Sequence, residues 1–181
     1  MADAVWELDS SDGQLTVMTA VAGPASRVGH RLTIAMGWHG TVEWADEPVA
    51  VELTADVGSL EVLRGDGGAT PLSGPEKALV RLNALKSLDA VQFPHIRFRS
   101  DEVERAADGY RLVGTLEIHG VTRDHTMDLT VEHRDDSVRV SAQDSLRQSD
   151  FGIKPYSMMM GALKVADEVR VCFDAELAPR E

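Results

Sequence analysis

Apolar and polar residues alternate along most of this chain, most cleanly across residues 110–131. In the first half the even positions Tyr110, Leu112, Leu116 and Ile118 are apolar, against Arg111, Thr115, Glu117 and His119. After the polar stretch 119–124 the phase moves to odd positions, with Met127, Leu129 and Val131 apolar against Thr126, Asp128 and Thr130. Period-2 alternation on both sides of a short polar loop predicts an antiparallel hairpin with one dry face. That face must meet other side chains, a ligand, or both.

The same rhythm recurs elsewhere. Residues 14–21 carry Leu15, Val17 and Val21 on one side, and Gly23-Pro24 ends that run. Residues 30–38 alternate Leu32, Ile34, Met36 and Trp38 against Arg31, Thr33 and Ala35. Gly40 is expected to turn the chain into a separate short strand over 41–45, and Asp46-Glu47-Pro48 to turn it again. Val49, Val51, Leu53, Ala55 and Val57 form the apolar row of a fourth strand. Later rows are Ile96 and Phe98; Val138, Val140, Ala142 and Leu146; and Val169, Val171, Phe173, Ala175 and Leu177.

One segment follows a helical period instead. Ala78, Leu79, Leu82, Leu85 and Leu88 recur at three- and four-residue steps over 75–88, with Pro75 suited to the first turn. Such a stripe is expected to pack as a lid on a core. Strands in meander order, one inserted helix and no strand–helix–strand rhythm predict a mainly β fold. Closing into an eight-stranded antiparallel barrel leaves such strands with the fewest open edges, a two-sheet sandwich being the other solution. A barrel of that size holds either packed side chains or one small ligand. No linker divides the chain, so residues 1–181 are expected to form a single domain.

Composition narrows the partners. A formal charge of −12 over 181 residues leaves no basic excess to neutralise phosphates, so no nucleic-acid partner is expected. It equally disfavours docking on an anionic membrane. No apolar run approaches the roughly 18 residues of a membrane span, so no membrane insertion is expected. Cys172 is the single cysteine and cannot form an intrachain disulfide. With an opening segment unlike a secretion signal, the expected setting is reducing and cytoplasmic.

Candidate chemistry is sparse. His30, His39, His119 and His125 sit near strand ends, but no HExxH, paired cysteine or i, i+4 histidine pattern appears, so no metal site is expected. Serines lack a nucleophile-elbow setting such as GxSxG, and the paired acids at 101–102 and 135–136 read as solvated turns. His119 or His95 could serve as an acid or base near a cavity mouth, yet neither has a visible orienting partner. No catalytic residue and no enzymatic activity are expected. The glycine-rich stretch 65–68 lacks the lysine and register of a phosphate cradle. Met158-Met159-Met160 suits an adaptable apolar surface or a gap-filling crossing.

Phe93-Pro94-His95-Ile96-Arg97-Phe98-Arg99-Ser100 and Gly114-Thr115-Leu116-Glu117-Ile118-His119-Gly120-Val121-Thr122 resemble the P-x-I-x-F-x-S and G-x-L-x-I-H-G-V-T signatures of the YceI-like family. Asp150-Phe151-Gly152 resembles its closing D-F-G segment, and Trp6-Glu7-Leu8-Asp9 more loosely its first strand. The resemblance spans nearly the whole chain. It implies a lipocalin-like eight-stranded barrel with a helical insertion and an elongated apolar cavity that holds isoprenoid-type lipids, in proteins often found as dimers. Many relatives carry an arginine where Gln148 stands here, and many carry a secretion signal.

The expected function is therefore binding, sequestration or transport of a long apolar molecule, a polyisoprenoid or isoprenoid quinone, with no other cofactor. A homodimer is the possible protein partner. Cavity candidates from the apolar rows are Leu32, Ile34, Met36, Phe98, Leu116, Ile118, Met127, Leu129 and Val140, with Phe151, Tyr156 and Met158 at the mouth. The alternative is a barrel with a filled core acting through its surface or as a dimer. Trp38 and Trp44 bear on the choice, because inward aromatic rings of about 150–250 Å² each would shrink a cavity.

Overall fold

The hairpin forms with a tighter turn than its polar stretch suggests. In the computed structural model, which describes residues 4–68 and 70–177, Ile118 already pairs with Val121. His119 (φ +55°) and Gly120 (φ +73°) alone make the turn. Two successive positive φ angles are the geometry whose twist matches paired strands, and histidine is among the few non-glycine residues that visit it. A Cβ on Gly120 would lie 2.6 Å from the Phe93 ring. The turn therefore needs glycine both for its backbone and for the packing of its tip.

In chain order the strands are β1 (Ala4–Asp9), β2 (Gly13–Ala22), β3 (Arg31–Trp44), β4 (Pro48–Asp66), β5 (His95–Ala106), β6 (Gly109–Ile118), β7 (Val121–His133), β8 (Val138–Arg147), β9 (Ser157–Met158) and β10 (Leu163–Leu177). Helix α1 (Gly74–Ser87) lies between β4 and β5. Eight of the strands close into an antiparallel barrel in the order β2, β3, β4, β5, β6, β7, β8, β10. β1 extends the place of β2, since β2 pairs with residues 33–36 of β3 and β1 with residues 39–44. The termini of the expected 1–181 domain lie outside the described residues.

The expected turn at Gly40 is not there. β3 runs unbroken from Arg31 to Trp44, and its even-numbered residues from Leu32 to Trp44 all face the interior. Gly40 serves close approach instead: a Cβ there would meet the Glu52 carbonyl oxygen of β4 at 2.7 Å. β4 likewise continues through Asp66, so the expected loop at 65–68 is strand in its first half.

Two stretches of the barrel lack a full ladder. β4 pairs with β5 only over residues 51–56, which leaves the far half of β4 without a neighbour on that side. Helix α1 covers this edge. Its Arg81 donates to the carbonyls of Leu60 (2.9 Å) and Gly58 (2.7 Å), and Lys77 to that of Leu63 (3.2 Å), satisfying strand groups that would otherwise be orphaned. Ser73 caps the helix, accepting from the Glu76 N–H at 3.2 Å. These anchors rotate the helix away from the expected leucine stripe. Leu79 and Leu82 are more than half exposed, whereas Leu85 and Leu88 of that stripe, with Val80 and Ala84, pack against the barrel core. The second gap lies between β7 and β8, which pair only where residues 130–133 meet 138–141.

Candidate ligand-binding cavity

The inward rows do not meet across the barrel. They enclose an elongated cavity of about 530 Å³, within the range of small-molecule sites. One end is walled by Trp6, Trp44, Pro48 and Leu177, the other by Val80 and Ala84 of α1 with Phe151 and Ile153. Leu129, Val131, Val140 and Val171 line the middle but are only half-buried. Their accessible surface faces inward, as expected where no side chain reaches across.

The hollow survives three inward tryptophans. Trp38 is buried and packs edge-on against Phe173, with ring centroids 4.8 Å apart. Its indole N–H donates to the Gly13 carbonyl at 3.2 Å, which ties the ring to the wall. Trp6 and Trp44 pack together at 4.8 Å. The Trp44 Nε1 is buried with no hydrogen-bond partner among the described residues.

The structure brings most of the expected residues to this cavity. Leu32, Ile34, Met36, Phe98, Leu116 and Ile118 line it, and all but Leu32 are buried. Met127, Leu129 and Val140 line it opposite, and Phe151 and Tyr156 line it near the α1 end. Met158 does not. β9 lies along the start of β10, Met158 opposite Leu163, and the backbone then turns through left-handed Met160 (φ +56°). The methionine run is thereby carried to the surface, with Met158 and Met160 exposed; the Met159 side chain lies outside the described residues.

Several wall residues are absent from the expected set. Val42 and Trp44 come from the strand continuation hidden by Gly40, Trp6 from β1 paired to it, and Val80, Asn83, Ala84 and Ser87 from the true inner face of α1. His125 and Asp144 also line the cavity. Tracing the odd phase of β7 back from Met127 would have placed His125 inward, and Asp144 is the polar interruption in the row Val138, Val140, Ala142, Leu146. His119 sits in the hairpin turn against Phe93, ring centroids 4.9 Å apart. His95 is exposed. Among the described residues, no group of three or more His, Cys, Asp or Glu side chains could hold a metal ion, and no helix is long and apolar enough to cross a membrane.

Two outer carboxylates are perturbed. Hydrogen bonding from Arg139 holds Asp174 below the ordinary carboxylate range, and hydrogen bonds from Ser149 do the same for Asp167.

A closed antiparallel barrel around a hollow apolar interior is the architecture of lipocalin-like binding proteins. Residues 6–177 match the YceI-like domain, and the chain belongs to that family. Among solved structures it is similar to Burkholderia cenocepacia BcnA, at TM-score 0.69 and 16% identity over 92% of this chain and 96% of that one. It is also similar to the Campylobacter jejuni YCEI protein, at TM-score 0.60 and 15% identity over 80% and 82%. At these identities the likeness is one of fold. No curated protein matches the chain. Family and fold together support a binding role.

Proposed function

We propose that this protein carries or sequesters a long, predominantly apolar molecule of isoprenoid type, a polyisoprenoid or an isoprenoid quinone, inside the barrel. The observation that carries this reading is the elongated cavity of about 530 Å³ walled by aliphatic and aromatic side chains. An interior of that kind rewards a flexible hydrocarbon chain along its whole length, at about 0.8 kcal/mol per buried methylene. A barrel packed solid does not fit a cavity of this size.

The role is binding and not catalysis. His119 serves the turn, and His95 lies on the surface. A reducing, cytoplasmic setting is part of the same proposal, supported by the single free cysteine, Cys172. So is the absence of a nucleic-acid partner, supported by the charge of −12. A homodimer rests on the family resemblance.

The test is organic extraction of freshly purified protein followed by mass spectrometry, with native mass spectrometry of the same sample. A stoichiometric prenyl-chain compound is expected, together with binding of added long-chain isoprenoids by emptied protein. Protein that neither yields nor binds any such chain would overturn the proposal.

A further inference from the structure

The wall of the cavity carries one polar pair at a break in the barrel. Beyond Thr130 and Ser141 the strands β7 and β8 no longer pair, and the gap is spanned by side chains. His125 Nε2 hydrogen-bonds the Asp144 carboxylate across it. The two side chains are only 16% and 23% exposed. They lie among apolar groups, with the Phe98 ring edge-on to His125 at 6.2 Å and Met127 and Leu146 beside them on the inward rows. The other gap, beside α1, is closed by a whole helix.

The hydrogen-bonding roles follow from the partners. A carboxylate only accepts, so His125 Nε2 carries the hydrogen of this bond. The other Asp144 oxygen accepts the Ser145 N–H at 2.9 Å. Asp144 thus fixes the ring, and Nδ1 is left without a hydrogen-bond partner among the described residues. In the neutral imidazole with its hydrogen on Nε2, Nδ1 is an acceptor. It suits a group that donates.

The surroundings select against charge. His125, Leu146, Arg147 and Phe151 line both the cavity and a groove on the outside of the gap. Arg123, Asp124, Ser145, Asp150 and Glu168 complete that groove. Arg123 is engaged with the Asp150 carbonyl at 3.1 Å. With Asp144 counted, carboxylates outnumber arginines here, so a phosphate or carboxylate head meets like charge.

We propose that His125, oriented by Asp144, is the polar subsite of the cavity and takes an uncharged hydroxyl head group, that of a long-chain alcohol or a quinol, whose chain lies in the barrel. This rests on the binding role proposed above. The hydroxyl donates to Nδ1 at the gap, where its own oxygen can still reach water through the groove.

Geranylgeraniol, the hydrocarbon of the same skeleton, geranylgeranyl diphosphate, and a quinol and quinone with equal prenyl tails would be titrated into emptied wild-type protein. The alcohol or the quinol, or both, is expected to bind about tenfold tighter than its hydroxyl-free counterpart, the upper range of one net hydrogen bond, and the diphosphate more weakly than the alcohol. In His125→Phe this preference disappears while hydrocarbon binding persists. Should that variant leave Asp144 uncompensated and fail to fold, the double variant His125→Phe/Asp144→Val replaces the pair with apolar groups and is expected to show the same loss. Alcohol against hydrocarbon and quinol against quinone tell the two head-group sources apart. Equal wild-type binding in both pairs, tighter binding of the diphosphate, or a preference that survives either variant overturns the inference while leaving the carrier role standing. Failure of every chain compound, the hydrocarbon included, defeats the carrier role itself.

Discussion

Affinity should rise with ligand chain length and then stop rising at a length set by the cavity. A water-sized group takes up about 30 Å³ of liquid volume, and a methylene about the same. The cavity of about 530 Å³ therefore accommodates about 18 methylene-sized groups. Each buried methylene contributes about 0.8 kcal/mol, or about fourfold in affinity. A full cavity then yields about 14 kcal/mol gross, against an association cost of about 4–15 kcal/mol. Short chains should bind feebly, and groups beyond the break should add little because they extend into water. Ala142→Phe places a ring on the inner face of β8, where Ala142 is buried between Val140 and Asp144. It should move the break to chains shorter by about four methylenes. Intrinsic fluorescence is a direct assay, since the three tryptophans, Trp6, Trp38 and Trp44, all line the cavity. An affinity that is independent of length, or a break that Ala142→Phe leaves in place, would refute the assignment of the chain to this space.

Gly120→Ala should destabilise the fold by about 1–3 kcal/mol, because alanine is strained at φ +73° and its Cβ meets the Phe93 ring; urea denaturation measures the loss. Arg81→Met removes the donors to the Leu60 and Gly58 carbonyls and should cost about 1–3 kcal/mol, with faster amide exchange in α1; unchanged exchange would show that these bonds do not hold the helix. Leu60→Ala, at a side chain 1% exposed, should cost about 2–5 kcal/mol. Leu129→Ala, at a side chain that is only half-buried, should cost distinctly less in the same denaturation series. Asp174 and Asp167 have folded-state pKa values below the ordinary one, so the stability they contribute is present above the unfolded value of about 3.9 and is lost as pH falls through the lower folded values. The urea midpoint should fall over that acid range, and Asp174→Asn should flatten part of the fall; an unaltered profile would show that its pairing with Arg139 adds nothing.

Parity carried the sequence reading a long way. The row Leu32, Ile34, Met36, Trp38 predicted one wall correctly because the register shifts between β3 and β4 put the extra residues on β4 and leave the alternation of β3 intact. Interpretation failed where one residue had two possible reasons. Gly40 reads as a turn, but its cause is the Glu52 carbonyl on the next strand, a long-range contact. The stretch 119–124 is polar enough to pass for a loop, but β7 begins at Val121, and so the inward place of His125 was hidden. The α1 stripe failed only in part, for a related reason: Leu85 and Leu88 pack on the core while Leu79 and Leu82 turn outward. Periodicity reveals which face is apolar, not which face is held, and Arg81 and Lys77 hold this helix by carbonyls whose exposure depends on β5 starting late. Met158 could not be placed because its course follows the pairing of β9 with β10.

Why the barrel is hollow is a question of side-chain size and position. Its inward rows are mainly Leu, Val, Ile, Met and Ala, and the chain has only four Phe, three Trp and two Tyr. Trp6 and Trp44 pack against each other at one end, Phe98 and Phe151 belong to the cluster at the other, and Trp38 is held against the wall by Phe173 and the Gly13 carbonyl. The middle is left to branched aliphatic side chains on β7, β8 and β10, too short to meet across an eight-stranded barrel. The large residues thus close the ends and the small ones keep the middle open. Selectivity cannot come from that middle, because an aliphatic wall responds to chain length and little else. It has to come from the few polar groups that reach the interior, and the break between β7 and β8 holds two of them, already paired.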